Sequence, residues 1–94
     1  MDITVDAMAG TLESGDAMVR VSPQARLRVD ITSSVMAQYG SAIRDVVDQT
    51  LSQFEVSSGH ITVEDKGALD CTLRARIEAA LTRGSGQDLD WSRR

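Results

Sequence analysis

One proline, one cysteine and three aromatic residues, one each of Phe, Trp and Tyr, are all that a chain of 94 residues offers of those types. A single cysteine, Cys71, cannot close an internal disulfide, so no covalent staple is available and a reducing compartment is compatible with the composition. With aromatics at 3%, the core has to be built from tightly packed aliphatic side chains. No apolar run approaches the roughly 18 residues that a membrane-spanning helix needs. The opening segment Met1-Asp2-Ile3-Thr4-Val5-Asp6 carries acids where a signal peptide carries bases. The chain is therefore expected to be cytoplasmic, with no membrane partner. A basic patch is missing as well: 10 Lys and Arg face 14 Asp and Glu, giving a formal charge of −4. That balance argues against nucleic acid, whose binding depends on clustered cations that displace phosphate counterions, and it suits basic protein partners.

What remains is ordinary globular material, with 41% hydrophobic and 26% charged residues. This length makes one domain. Leu27, Val29 and Ile31 alternate with Arg28, Asp30 and Thr32, the period-two pattern of a strand with one buried and one wet face. Ala17, Val19 and Val21 alternate with Met18, Arg20 and Ser22 in the same way. That run ends at Pro23, which cannot donate to a sheet ladder. A weaker strand is predicted over 7–12. Glu13-Ser14-Gly15-Asp16 supplies turn chemistry behind it, which places Ser14 at a hairpin tip.

From Ser34 the period changes. Val35, Tyr39, Ile43, Val46, Val47, Leu51 and Phe54 recur at spacings of three and four, predicting a helix to about Phe54 with Ser33 or Ser34 as its amino-terminal cap. A short strand follows over 60–64, with Ile61 and Val63 inward. A second helix then carries the stripe Leu69, Leu73, Ile77, Ala80 and Leu81, with Asp70 near its start and Gly84 as its stop. The order is βββαβα. It predicts an α+β two-layer sandwich, a mainly antiparallel sheet covered on one face by two helices. The domain is expected over 1–84, with a flexible tail over 85–94.

Self-contained catalysis needs a constellation that this sequence does not offer. His60 and Cys71 each stand alone, and neither a metal-ligand spacing nor a phosphate-cradling glycine loop occurs. His60 reads as a solvated strand residue. Cys71, on the flank of the second helix, reads as a small packed side chain, because a reactive thiolate needs a cationic or helix-start setting. The neighbouring acids Glu13 with Asp16, and Glu64 with Asp65, read as solvated turn and loop residues. Arg74, Arg76 and Arg83 read as a wet helix face able to meet an anionic partner or a phosphate. The residues alone thus stop at a small α+β interaction domain, with no catalytic and no metal-binding residue assigned.

Three segments carry more. Ala9-Gly10-Thr11-Leu12-Glu13-Ser14-Gly15-Asp16, Asp65-Lys66-Gly67-Ala68-Leu69-Asp70-Cys71 and Leu73-Arg74-Ala75-Arg76 together resemble the acyl carrier (gamma) subunit of citrate lyase. The resemblance brackets nearly the whole chain. It implies that Ser14 bears a phosphoribosyl-dephospho-coenzyme A group through a phosphodiester. It also implies that a prosthetic-group transferase attaches it. The partners implied are an alpha subunit that exchanges acyl groups and a beta subunit that cleaves the citryl thioester, while this chain carries acetyl and citryl. Glu13, Asp16, Arg74, Arg76 and Trp91 become candidate docking residues. Two alternatives stand beside it: the carrier subunit of a malonate decarboxylase, and a non-carrier structural or regulatory module.

Overall fold

Alternating aliphatic and polar residues make an amphipathic sheet, and a one-faced sheet needs a helical layer to bury its apolar side. The computed structural model, which describes residues 1–86, has the elements β1 (Ala7–Gly10), β2 (Ala17–Ser22), β3 (Leu27–Ser33), α1 (Met36–Gln53), β4 (Gly59–Asp65) and α2 (Asp70–Gly84). Residues 87–94, Trp91 among them, lie outside the described residues, as do the side chains of 36–39, including Tyr39. The order βββαβα is the one expected from the periodicities.

The four strands form one sheet in the order β1-β2-β4-β3. β1 and β2 are an antiparallel hairpin, and β2 is antiparallel to β4, with Val19 opposite Val63 and Val21 opposite Ile61. β3 pairs with β4 in parallel, Val29 opposite Ile61 and Ile31 opposite Val63. The parallel pair follows from connectivity. α1 lies between β3 and β4 in sequence, and a helical crossover returns the chain to the end from which it started. β4 thereby inserts between β2 and β3, and the 23–26 connection passes over its start, where the Gly59 amide donates to the Gln24 carbonyl at 3.0 Å.

On the inward face Ala17, Val19, Val21, Ile61 and Val63 join Ile43, Val46, Val47 and Leu51 of α1 and Leu73, Ile77, Ala80 and Leu81 of α2 in one core. Each large aliphatic side chain fully buried there contributes about 1.5–3 kcal/mol, which is how a chain so poor in aromatics supports a fold. α2 lies across β1 and β2, while α1 packs against α2 and β3. No helix among the described residues is long and apolar enough to cross a membrane.

Several expectations need correction. Leu27 is 40% exposed, and Val29 and Ile31 are only partly buried, because β3 forms a sheet edge that α1 covers incompletely. Leu69 does not belong to the buried stripe of α2. It precedes the helix and is 72% exposed. Neither Ser33 nor Ser34 caps α1 in the usual way: Val35 takes the cap position without a side-chain bond, and the Ser33 hydroxyl accepts the Val35 amide at 3.1 Å. Cys71 is exposed rather than packed, since it lies two residues before the buried Leu73 and so faces away from the core side of the helix.

Gly84 does close α2, but by close approach rather than by a left-handed backbone. A Cβ there would meet Val21 Cγ2 at 2.4 Å, and its carbonyl accepts the amides of Thr4 and Val5 at 2.8 and 3.0 Å. One otherwise orphaned helix-terminal carbonyl thus anchors the segment that carries buried Ile3. Replacing Gly84 by Ala is expected to destabilise the fold by about 1–3 kcal/mol through overpacking, read as a lower urea midpoint with an unchanged slope. An unshifted midpoint would contradict this packing.

Candidate functional site

Three connections converge at one end of the sheet. The β1–β2 loop (11–16), the β3–α1 link (34–35) and the β4–α2 loop (66–69) all leave the edge formed by Gly10, Ala17, Ser33 and Asp65. Asp65 holds two of them. It occupies the next inward position of β4 after Ile61 and Val63 and is only 2% exposed. One carboxylate oxygen accepts the Ser33 hydroxyl at 2.8 Å and the Gly67 amide at 3.1 Å, while the other accepts the Ala68 amide at 3.0 Å. Its own carbonyl accepts the Ser34 amide at 3.1 Å. The solvated reading of Asp65 is therefore wrong. The period-two pattern, carried one step further than Glu64, would have placed it inside.

The β1–β2 loop rests on this base. The Gly15 amide donates to the Lys66 carbonyl at 2.7 Å, and the Lys66 amide donates back to the Asp16 carbonyl at 2.9 Å. Within the loop the Asp16 amide donates to the Glu13 carbonyl at 3.0 Å, closing a turn across Ser14 and Gly15. The neck demands glycine at position 10: φ is +94°, and a Cβ there would lie 1.8 Å from the Ala17 carbonyl oxygen. Ser14 is exposed at the apex of this braced loop, and its hydroxyl has no hydrogen-bond partner among the described residues. Gly15 beside it faces open space, with nothing within 4 Å of where a Cβ would stand.

Asp16 and Arg76, both considered as docking residues, are joined to each other. Arg76 Nε donates to Asp16 Oδ1 at 2.9 Å and Nη2 to Oδ2 at 3.0 Å. The Asp16 side chain is 14% exposed and is not a solvated turn acid. The Arg76 fork, then the Thr11 hydroxyl and the Ala17 amide, hold the Asp16 carboxyl well below the usual carboxylate range. Glu13 and Arg74 face solvent more freely. The Glu13 amide is held by the Thr11 hydroxyl at 3.2 Å, and Arg74 reaches Gln49 of α1 at 3.5 Å. Arg83 donates to the Met8 carbonyl at 2.8 Å on edge strand β1.

His60 lies elsewhere, on the sheet face away from the helices, with Nε2 2.8 Å from Asp30 Oδ2. The contact with His60, with Arg28 behind it, lowers the Asp30 pKa. This pair is far along β4 from the Ser14 end, and His60 has no part in that site. Among the described residues no group of three or more His, Cys, Asp and Glu side chains is placed to hold a metal ion.

Residues 4–84 match the family described as ACP: Malonate decarboxylase delta subunit (MdcD). The citrate lyase acyl carrier protein of Haemophilus ducreyi is 50% identical over 93 residues, covering 99% of this chain and 98% of that one. Its Klebsiella pneumoniae counterpart is 48% identical over 95 residues, with 98% of each chain covered. The chain belongs to the citrate lyase acyl carrier protein family. The fold of this family member is also that of a solved chain, from a Pseudomonas malonate decarboxylase hetero-tetramer in complex with malonate. That chain superposes with a TM-score of 0.77 at 21% identity, over 88% of this chain and 87% of the other.

Two measurements check this site. Asp65→Ala would strand a hydroxyl and two amides beneath the loop, and a loss of about 3 kcal/mol is expected in chemical denaturation. A stability equal to the parent would show that the network is not needed. The second concerns acid. Because the folded-state pKa of Asp16 is depressed, its contribution is complete above the ordinary value of 3.8 and fades as pH falls below it. Stability measured from pH 5 down to pH 2 should therefore fall less steeply in Asp16→Asn than in the parent, and parallel curves would contradict the assignment.

Proposed function

We propose that this chain is the acyl carrier subunit of a citrate lyase and that Ser14 is where its prosthetic group is attached. The observation that carries the reading is likeness along the full chain, near 50% identity, to relatives that bear that name. The loop geometry supports the attachment point. A serine whose hydroxyl is exposed and unbonded among the described residues, next to a glycine facing open space, can accept a bulky phosphodiester without displacing anything packed there.

A phosphoribosyl-dephospho-coenzyme A group at Ser14 would supply a terminal thiol on which acyl groups are carried as thioesters. The chain's own contribution is mechanical. The Lys66 and Asp16 backbone bonds hold the loop to the β4–α2 connection, so the attachment point is fixed to the domain. A tether on a fixed point delivers its cargo to nearby active centres at a high effective concentration set by its length. Citrate cleavage to acetate and oxaloacetate then falls to the alpha and beta partner subunits, and a transferase installs the group. Glu13, exposed on the loop, and Arg74, partly buried on α2, remain docking candidates for these partners.

The malonate decarboxylase carrier is the second reading, favoured by the description of the matching family and by the solved hetero-tetramer. The two differ in partners: co-purification with citrate lyase subunits is expected, and with malonate decarboxylase subunits it is not. In a host that makes the group, intact-protein mass spectrometry should show an added mass on the parent chain, mapped to the peptide holding Ser14. The Ser14→Ala chain should show none, and its complex should not cleave citrate. Cleavage by a complex carrying Ser14→Ala would sink the reading.

A further inference from the structure

The Arg76–Asp16 pair spans 60 positions of sequence and is the one side-chain ion pair that ties the Ser14 loop to a helix among the described residues. Both oxygens of the carboxylate are shared. Oδ1 accepts Arg76 Nε and the Ala17 amide, and Oδ2 accepts Arg76 Nη2 and the Thr11 hydroxyl, the last at 2.6 Å. Thr11 Oγ1 in turn accepts the amide of Glu13. One carboxylate therefore governs the chain on both sides of Ser14, directly at position 16 and through Thr11 at position 13.

Such an arrangement is poorly explained by stability alone. Solvent reaches the pair through Arg76, whose side chain is 39% exposed, and this screening limits the contact to a modest share of folding stability. What a two-pronged guanidinium–carboxylate contact does supply is orientation, since its planar fork fixes angle as well as distance. Docking does not explain it either. A carboxylate with four donors already in place has no free acceptor direction for a partner.

We infer that Asp16 and Arg76, linked to Glu13 by Thr11, are positioning residues that preform the Ser14 loop for the transferase that loads the prosthetic group. The inference rests on Ser14 being the attachment residue. In the loading step Ser14 Oγ forms a bond to phosphorus of a phosphoanhydride donor of the group. The anhydride P–O bond breaks, its polyphosphate fragment leaves, and the hydroxyl proton passes to a base on the transferase. Only one rotor of Ser14 is left to be fixed by the enzyme if the loop is already in place, and misplacement by about 1 Å can cost a hundredfold in rate.

The test measures transferase loading of the full chain by mass spectrometry, together with backbone hydrogen exchange, for Asp16→Asn, Arg76→Lys and the double variant. Loading efficiency should fall roughly tenfold to a hundredfold in each single variant. The double variant should be no worse than either single, because both act through one contact. Arg76→Lys keeps the charge and loses the fork. A docking role would leave it near normal and make the two effects additive, which would overturn the inference. Exchange at the Gly15, Asp16 and Lys66 amides should quicken while Ile61 and Val63 stay protected; unchanged exchange at the loop would likewise overturn it. Should a variant lose core protection, exposed Thr11 takes its place: Thr11→Val should slow loading and Thr11→Ser restore it. Loading of Thr11→Val at the parent rate would count as refutation. A parent chain that accepts no group at Ser14 defeats the attachment reading and this inference together, whereas equal loading of parent and variants defeats this inference alone.

Discussion

Asp65 takes hydrogen bonds from the Ser33 hydroxyl, the Gly67 amide and the Ala68 amide, and through them the end of β3, the end of β4 and the approach to α2 are held at one point. The β1–β2 hairpin then fastens to the same point by its paired backbone bonds with Lys66. A buried carboxylate is tolerated only where donors surround it, and here the donors come from turns that the fold must make in any case. Remove that acceptor and the loop displaying Ser14 loses the platform beneath it. The geometry of the candidate site is therefore a consequence of how the sheet ends.

Much of this was legible in the sequence because periodicity is a local signal. Val19, Val21, Ile61 and Val63 fall on the inward face where alternation puts them, and Ile43, Val46, Val47 and Leu51 line the buried side of α1 as the three-and-four spacing requires. Periodicity is silent about depth in the sheet. Leu27 has the right phase but sits on edge strand β3, so its exposure is decided by neighbours that no local window contains. The exposure of Leu69 has a similar origin, since Asp65 organises a loop that delays the start of α2 until Asp70.

The site was legible to a different degree. Ser14 at a hairpin tip followed from turn chemistry, and the resemblance singled out that same residue. The partners of Asp16 did not follow. Arg76 lies sixty residues on, and charge spacing within α2 gives no hint that this arginine, rather than Arg74 or Arg83, turns toward the loop. Reading acids in turns as solvated is sound on average. It fails here at Asp16 and Asp65, each of which collects donors from two separate parts of the chain.

The bracing of the β1–β2 loop also has a consequence for assembly. For a tether grafted at Ser14, the anchorage is a stationary pivot, and the sheet and helices occupy the space beneath it. The volume swept is thus a dome over one end of the domain and not a full sphere. Active centres served by the same tether would all have to open onto that dome, so the carrier's orientation among its neighbours is restricted before any surface contact between them is specified.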